Sequence, residues 1–291
     1  MAFILLSIKF ERKTLKKAFS ILLVSAIFAS LITFYNAIKY FNEDILFQTD
    51  FTYFITAIHH PYFGVYILLA ILSLLEFNII KNNYIKFFVI ITLSIAISFT
   101  TSRIVYMLYF IVACFYCYSK LPSKKFWHSV LIISAIASSF VLINKDILNK
   151  FTNSFNYNRS PRLKLWTNSL EAVEKTDSYF FGIGIGDYYK EKKDVYFGHN
   201  YTNQKKGVYG YNPHSQLVEF YVTNGLLGVL IILFAILYYV LKLKNQSTFA
   251  LSAFVVLFLF SLVECVFNRQ YGVQLYSVVI PLIVSYNFKR K

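Results

Sequence analysis

A chain of 291 residues that is 57% hydrophobic, 20% aromatic and only 15% charged is not a soluble globular domain, in which about a quarter of residues carry charge. Its net charge of +15 would indicate nucleic acid in a soluble chain, but the positive-inside rule for membrane loops accounts for much of it, and no nucleic-acid partner is expected. The apolar residues fall in blocks of about 17 to 25, the length that crosses a hydrocarbon core of about 30 Å, so the expected fold is an all-α, polytopic integral membrane protein.

Taken in order, a basic run at residues 9–17 precedes a first span at about 18–38. The apolar stretch before that run is short, and no cleavable signal is expected. A polar and aromatic connection, 39–61, ends in His59-His60-Pro61. Further spans are predicted at about 62–80, 84–101, 103–119 and 127–143, and then at 215–241, 248–267 and 270–287. About eight transmembrane helices result, with one long polar segment between the fifth and the sixth. The chain thus divides into an N-terminal bundle (1–143, about five spans), a loop (144–213) and a C-terminal bundle (214–291, about three spans).

Lys and Arg in alternate short connections set the orientation. Fifteen lie on one side and three, Lys39, Arg103 and Arg269, on the other. Both termini are therefore expected in the cytoplasm, with 144–213 outside. The eleven basic residues of that loop do not oppose this, because long loops cross largely regardless of charge. His59, His60, Arg103, the long loop, His214 and Arg269 then gather at the outer boundary. Cys114 and Cys117 lie inside one apolar block and Cys265 near the end of another; they read as buried thiols, and neither a disulfide framework nor a zinc site is indicated.

Arg103 follows Thr101-Ser102 between two closely spaced spans. An arginine there either snorkels to the interface or binds an anion. In the outer loop, Ser160 and Pro161 make a helix start, with Leu163, Trp166, Leu170 and Val173 at helical spacing. The result is a short amphipathic helix able to lie along the membrane surface. Arg159 and Arg162 stand at its N-terminal end, where forked guanidinium donors suit a diphosphate; solvated loop arginines are the alternative. Phe181-Gly-Ile-Gly-Ile-Gly-Asp187 lacks the strand–helix context of a dinucleotide site and reads as a tight turn close to another backbone. Residues 188–210, rich in Tyr, Lys, Gly and Asn, read as an outer lid suited to sugars.

Tyr211 to Glu219 is a polar entrance that runs into an apolar helix whose residues 217–241 carry one charge, Glu219. His214 is the best acid–base candidate, since a neutral imidazole accepts a proton at ordinary pH. On a straight helix, Tyr221, Gly225 and Gly228 fall within about 40° of His214, which predicts a small-residue face that admits an acceptor, while Glu219 is about 140° away. No Ser-His-Asp arrangement or metal-ligand spacing is readable.

Taken together, these motifs resemble the O-antigen ligase and O-antigen polymerase superfamily over roughly residues 59–241. The likeness rests on His60-Pro61-Tyr62-Phe63-Gly64, Thr101-Ser102-Arg103, Arg162-x-x-x-Trp166, Phe181-Gly-Ile-Gly184, Pro213-His214-Ser215-Gln216-Leu217 and Asn224-Gly225-Leu-Leu-Gly228. Ser215 stands where members commonly have asparagine, and eight spans is fewer than members typically have. The resemblance implies a glycosyltransferase of the bacterial inner membrane, surrounded by membrane lipids and active on the extracytoplasmic side. Its donor would be an undecaprenyl-diphosphate-linked glycan. A lipid A core acceptor would make it a ligase; another glycan repeat would make it a polymerase. The implied diphosphate ligands are Arg103 and Arg162, with Arg159 beside them, and the implied base is His214. Glu219 and His60 are candidates for acid–base or supporting roles. Direct displacement would invert the anomeric centre, and that scheme needs no metal or other cofactor. A lipid-glycan transporter or flippase is the rival of another class; it would show internal repeats and charged or broken helices near the midplane.

Overall fold

A computed structural model of the chain describes residues 10–40, 52–120, 152, 161–188, 212–243 and 248–288, and every regular element among them is helical. In chain order these are α1 (Arg12–Lys39), α2 (Thr52–Ile55), α3 (His60–Phe77), α4 (Asn83–Ser98) and α5 (Arg103–Lys120). They are followed by α6 (Pro161–Lys175), α7 (Gln216–Leu243), α8 (Thr248–Ser261) and α9 (Gln270–Phe288), with a 3-10 turn at Val266–Asn268 before α9. Helices α1, α3 and α7 (over Gln216–Leu241) are long and apolar enough to cross a membrane, and α4, α5, α8 and α9 are shorter apolar helices. They fall on seven of the expected apolar blocks; the block at 127–143 lies outside the described residues. One boundary differs: α8 stops at Ser261, and the rest of the block expected to run to 267 turns away to make contacts with α7.

The chain forms two compact units. The first comprises Met1–Phe151, Leu243–Phe260 and Gln274–Lys291. Its inner helix is α3, where Tyr62, Phe63, Val65, Ile67, Leu68, Leu69 and Leu74 are at most 1% exposed. A helix apolar on all sides belongs in an interior. Pro61 sits in its first turn, where the missing N–H would have lacked an intrahelical partner anyway, and Asn78, in the left-handed region at φ 45°, ends it. By contrast, α1 buries a single stripe, Leu15, Phe19, Leu23, Ala26, Ser30, Thr33 and Ala37, at intervals of three or four. Ile21, Val24, Phe28 and Tyr35 on its other side are exposed. One face is suited to protein and the other to lipid. Phe19 stacks on Phe77 at 5.2 Å and meets Phe249 of α8 edge-on at 5.1 Å.

The second unit comprises Thr152–Lys242 and Ser261–Val273. It contains α6, the loop after it, most of α7 and the connection from α8 to α9. Beyond its first turns α7 leaves Leu230, Ile231, Phe234, Leu237, Tyr238 and Leu241 exposed, the surface of a helix that packs against lipid more than protein.

Candidate functional site

The second unit is built around a break in α7. Gly225 has φ 64° and ψ −167° inside the helix, which interrupts the backbone ladder. In a membrane-spanning helix the freed groups need partners from the protein itself. The loop after α6 supplies them. Ile183 N donates to Val222 O at 2.8 Å and Gly184 N to Thr223 O at 3.1 Å. In return, Leu226 N donates to Tyr179 O at 2.9 Å and Leu227 N to Phe180 O at 3.3 Å. Two glycines allow this approach. A Cβ on Gly225 would lie 2.2 Å from the Phe180 carbonyl atoms, and one on Gly182, itself at φ 74°, would lie 2.5 Å from Asn224 N.

Of the tight turn expected over 181–187, the part at 181–184 approaches another backbone, that of α7, while a Cβ on Gly186 would meet open space. The small-residue face projected through Gly225 and Gly228 is not a free face. It assumed a continuous helix; Gly225 is spent on the break and packs against Phe180, while a Cβ on Gly228 would meet Asn224 of the same helix at 2.4 Å.

At the entrance to α7 the chain turns sharply at His214, whose φ is 49°. A non-glycine residue rarely takes this left-handed conformation without local support. Support comes from the Asn212 side-chain oxygen, which accepts from His214 N at 3.1 Å. Ser215 then caps the helix, its Oγ accepting from Val218 N at 3.4 Å. The serine in the asparagine position thus serves as an N-cap, a role both residues fill well. Helix α6 reaches the same turn through Trp166, whose indole N–H donates to Pro213 O at 2.7 Å. Arg162 is one turn earlier on that face, since side chains four apart on a helix are neighbours.

Among the described residues, Arg162 and His214 share a charged partner, Glu264. Arg162 Nη2 lies 3.3 Å from Glu264 Oε1, and His214 Nδ1 lies 3.5 Å from Oε2. The second distance suits an ion pair and is longer than a well-formed hydrogen bond. Catalytic contacts are often this loose before substrate arrives. Glu264 is only 3% exposed. Burial pushes its carboxyl up, but His214, Arg162 and Arg269 together outweigh burial, and the net direction is down, toward the ionised form. Its connection is fastened to α7 by two further bonds: Phe267 N donates to Gln216 Oε1 at 2.9 Å, and Asn268 Nδ2 donates to Glu219 Oε1. Cys265 lies beside them. Burial, then the Glu219 carboxylate, pushes its thiol up, so it is neutral and no nucleophile.

Of the residues singled out in the sequence, Arg162 and His214 come together. Glu219 is buried, and its described bond goes to Asn268 rather than to His214. Arg159 lies outside the described residues. Arg103 and His60 belong to the first unit. Arg103 opens α5 after Thr101, which has φ 46°, and His60 opens α3 with its ring stacked on that of His59 at 5.0 Å. On α6, Val173 is buried as expected but Leu170 is 47% exposed. The buried face is shifted toward Leu165, Asn168, Ser169 and Ala172, because Ser169 Oγ pairs with the buried Tyr188 hydroxyl at 2.8 Å. Sequence reasoning missed Glu264; it placed Arg269 at the outer boundary with His214 but gave it no role, whereas its charge acts on Glu264. The signal for Glu264 was present: an acid inside an otherwise apolar block is costly, and such residues usually have a task.

A family model described as O-antigen ligase matches residues 87–233, just over half of the chain. The match takes in Arg103, Arg162, His214 and both glycine motifs, and stops before Glu264. No curated protein matches the chain significantly.

Proposed function

The chain belongs to the O-antigen ligase family, and from that premise we propose that it transfers a glycan from an undecaprenyl-diphosphate carrier to an envelope acceptor. It is a membrane enzyme of the O-antigen ligase/polymerase type. In our reading it works as a ligase, with lipid A core or a comparable outer acceptor, on the extracytoplasmic side. A polymerase would run the same chemistry with another glycan repeat as acceptor.

The observation that supports this most is the joining of His214 and Arg162 around one buried carboxylate at the entrance to an apolar helix. In the reaction, His214 takes the proton from an acceptor hydroxyl, whose oxygen bonds to the anomeric carbon. The bond from that carbon to the diphosphate oxygen breaks, and its electron pair leaves with the diphosphate. Negative charge grows on the leaving group, where Arg162 offers guanidinium donors. Attack opposite the leaving group inverts the anomeric centre. A diphosphate is already a competent leaving group, so the scheme draws on no ATP.

The test uses sealed right-side-out vesicles loaded with lipid-linked glycan, with acceptor supplied outside. Wild-type protein should transfer glycan, and His214→Gln should lose about 10²–10⁴-fold in rate, the usual contribution of a general base. Glutamine retains hydrogen bonding but cannot take the proton. Near-normal turnover by His214→Gln would remove the base from the scheme, and transfer only to acceptor enclosed inside would reverse the orientation.

A further inference from the structure

We infer that Glu264 is the positioning residue of this site, holding the His214 imidazole in its productive tautomer and steadying the Arg162 guanidinium with the other oxygen of the same carboxylate. The inference rests on the functional reading above and extends it to a residue beyond the matched segment.

Three observations carry it. First, Glu264 is 3% exposed, and a buried carboxylate is costly unless it is paired. A buried ion pair is also weak evidence of stabilisation, since well-packed apolar residues often do as well. A role at the site explains the acid better than stability does.

Second, the two oxygens divide their work. Oε1 faces Arg162 at 3.3 Å and Oε2 faces His214 Nδ1 at 3.5 Å. An ionised carboxylate only accepts, so the nitrogen facing it carries the proton and Nε2 keeps the lone pair. That is the tautomer a base needs. When Nε2 takes the acceptor proton, the imidazolium forms against Glu264, which stabilises it. Among the described residues Glu264 engages Arg162 through one terminal nitrogen, and the guanidinium has further donors that suit phosphate oxygens.

Third, the placement of Glu264 does not depend on its charge alone. Gln216 and Glu219 of α7 hold Phe267 and Asn268 of the same connection. Removing the charge should therefore leave the connection in place.

The experiment compares Glu264→Gln, Glu264→Asp, His214→Ala and the double variant Glu264→Gln/His214→Ala in purified protein. It measures kcat and donor KM with a lipid-linked glycan donor. We expect Glu264→Gln to lose about 10²-fold in kcat, with a smaller change in donor KM. Glu264→Asp should recover part of that loss. Adding Glu264→Gln to His214→Ala should cost almost nothing more, because residues acting as a unit are not additive. Losses that multiply in the double variant would overturn the inference, as would near-normal kcat in Glu264→Gln while His214→Ala is inactive; the functional reading survives both. Near-normal transfer by His214→Ala would instead sink that reading itself. Should Glu264→Gln not accumulate in the membrane, Glu264→Asp decides. It withdraws the carboxylate by about 1.5 Å, and unchanged kcat there overturns the proposal.

Discussion

Two apolar helices of this protein open on a histidine beside a proline, and they differ in what the ring meets. At α3 the order is His59-His60-Pro61, and the helix runs unbroken through the interior of its unit. There His60 stacks on His59, and Tyr62 stands edge-on to His59 at 5.6 Å. At α7 the order is Pro213-His214, and the histidine occupies a left-handed turn before the helix begins. Its ring reaches a buried carboxylate that also holds an arginine. The same two residue types thus set a ring against another ring in one place and against a buried carboxylate in the other. A carboxylate beside an imidazole orients the ring and stabilises its protonated form.

Substitution of the two histidines should separate them most widely. His214→Ala is expected to lower transfer by about 10²–10⁴-fold, with protein still in the membrane. His60→Ala should stay within roughly threefold, since only groups that stabilise the transition state more than the ground state change the rate. Equal losses in a transfer assay at matched protein levels would erase the contrast.

The next effect is at Arg162. If it grips diphosphate with more than one donor, lysine is a poor replacement. Arg162→Lys should cost about 1.5–3 kcal/mol, or roughly 10- to 150-fold in affinity or rate, and Arg103→Lys should behave similarly. Arg159→Lys should be milder. Full activity of lysine at all three positions would return them to solvated or snorkelling roles.

A third comparison sets the continuous helix against the broken one. In α7, Gly225→Ala combines φ 64° with a carbonyl 2.2 Å from the new methyl, and backbone strain of this kind costs about 1–3 kcal/mol. In α3, Gly64→Ala meets the Val105 side chain at 2.4 Å, and side chains yield more readily than backbone. Thermal unfolding in detergent should show the larger drop for Gly225→Ala. The reverse order would mean that the break in α7 is readily closed.

The smallest effect concerns acid. Glu264 is held below its ordinary value of 4.5, so it contributes stability that is present above that value and lost as pH falls through the folded-state value. Thermal stability of the wild type should decline as pH is lowered past about 4.5, and Glu264→Gln should flatten that part of the curve. Parallel curves for the two proteins would show that the carboxylate is equally ionisable in both states.

Much of the site could be read along the chain. Arg162, Trp166 and His214 stood in recognisable order, and the alternating glycines at 182 and 184 signalled a close backbone approach. The reading failed where it extended a local rule past its range. A straight-helix projection carried Gly225 and Gly228 onto the His214 face, and an apolar block was run through Glu264 to residue 267. Both errors come from ignoring non-local partners: the break in α7 is satisfied by residues about forty positions earlier, and Glu264 by residues about fifty and one hundred positions away.

By itself the sequence determined that this is a helical membrane protein, roughly where its apolar helices lie, and which family it belongs to. Bilayer thickness imposes a length on every span, and a length is written in consecutive residues. The tertiary structure alone decided which carboxylate faces the histidine, and what closes the broken helix. A charge pair requires proximity in space, and a backbone group freed from its own helix accepts any donor the fold delivers.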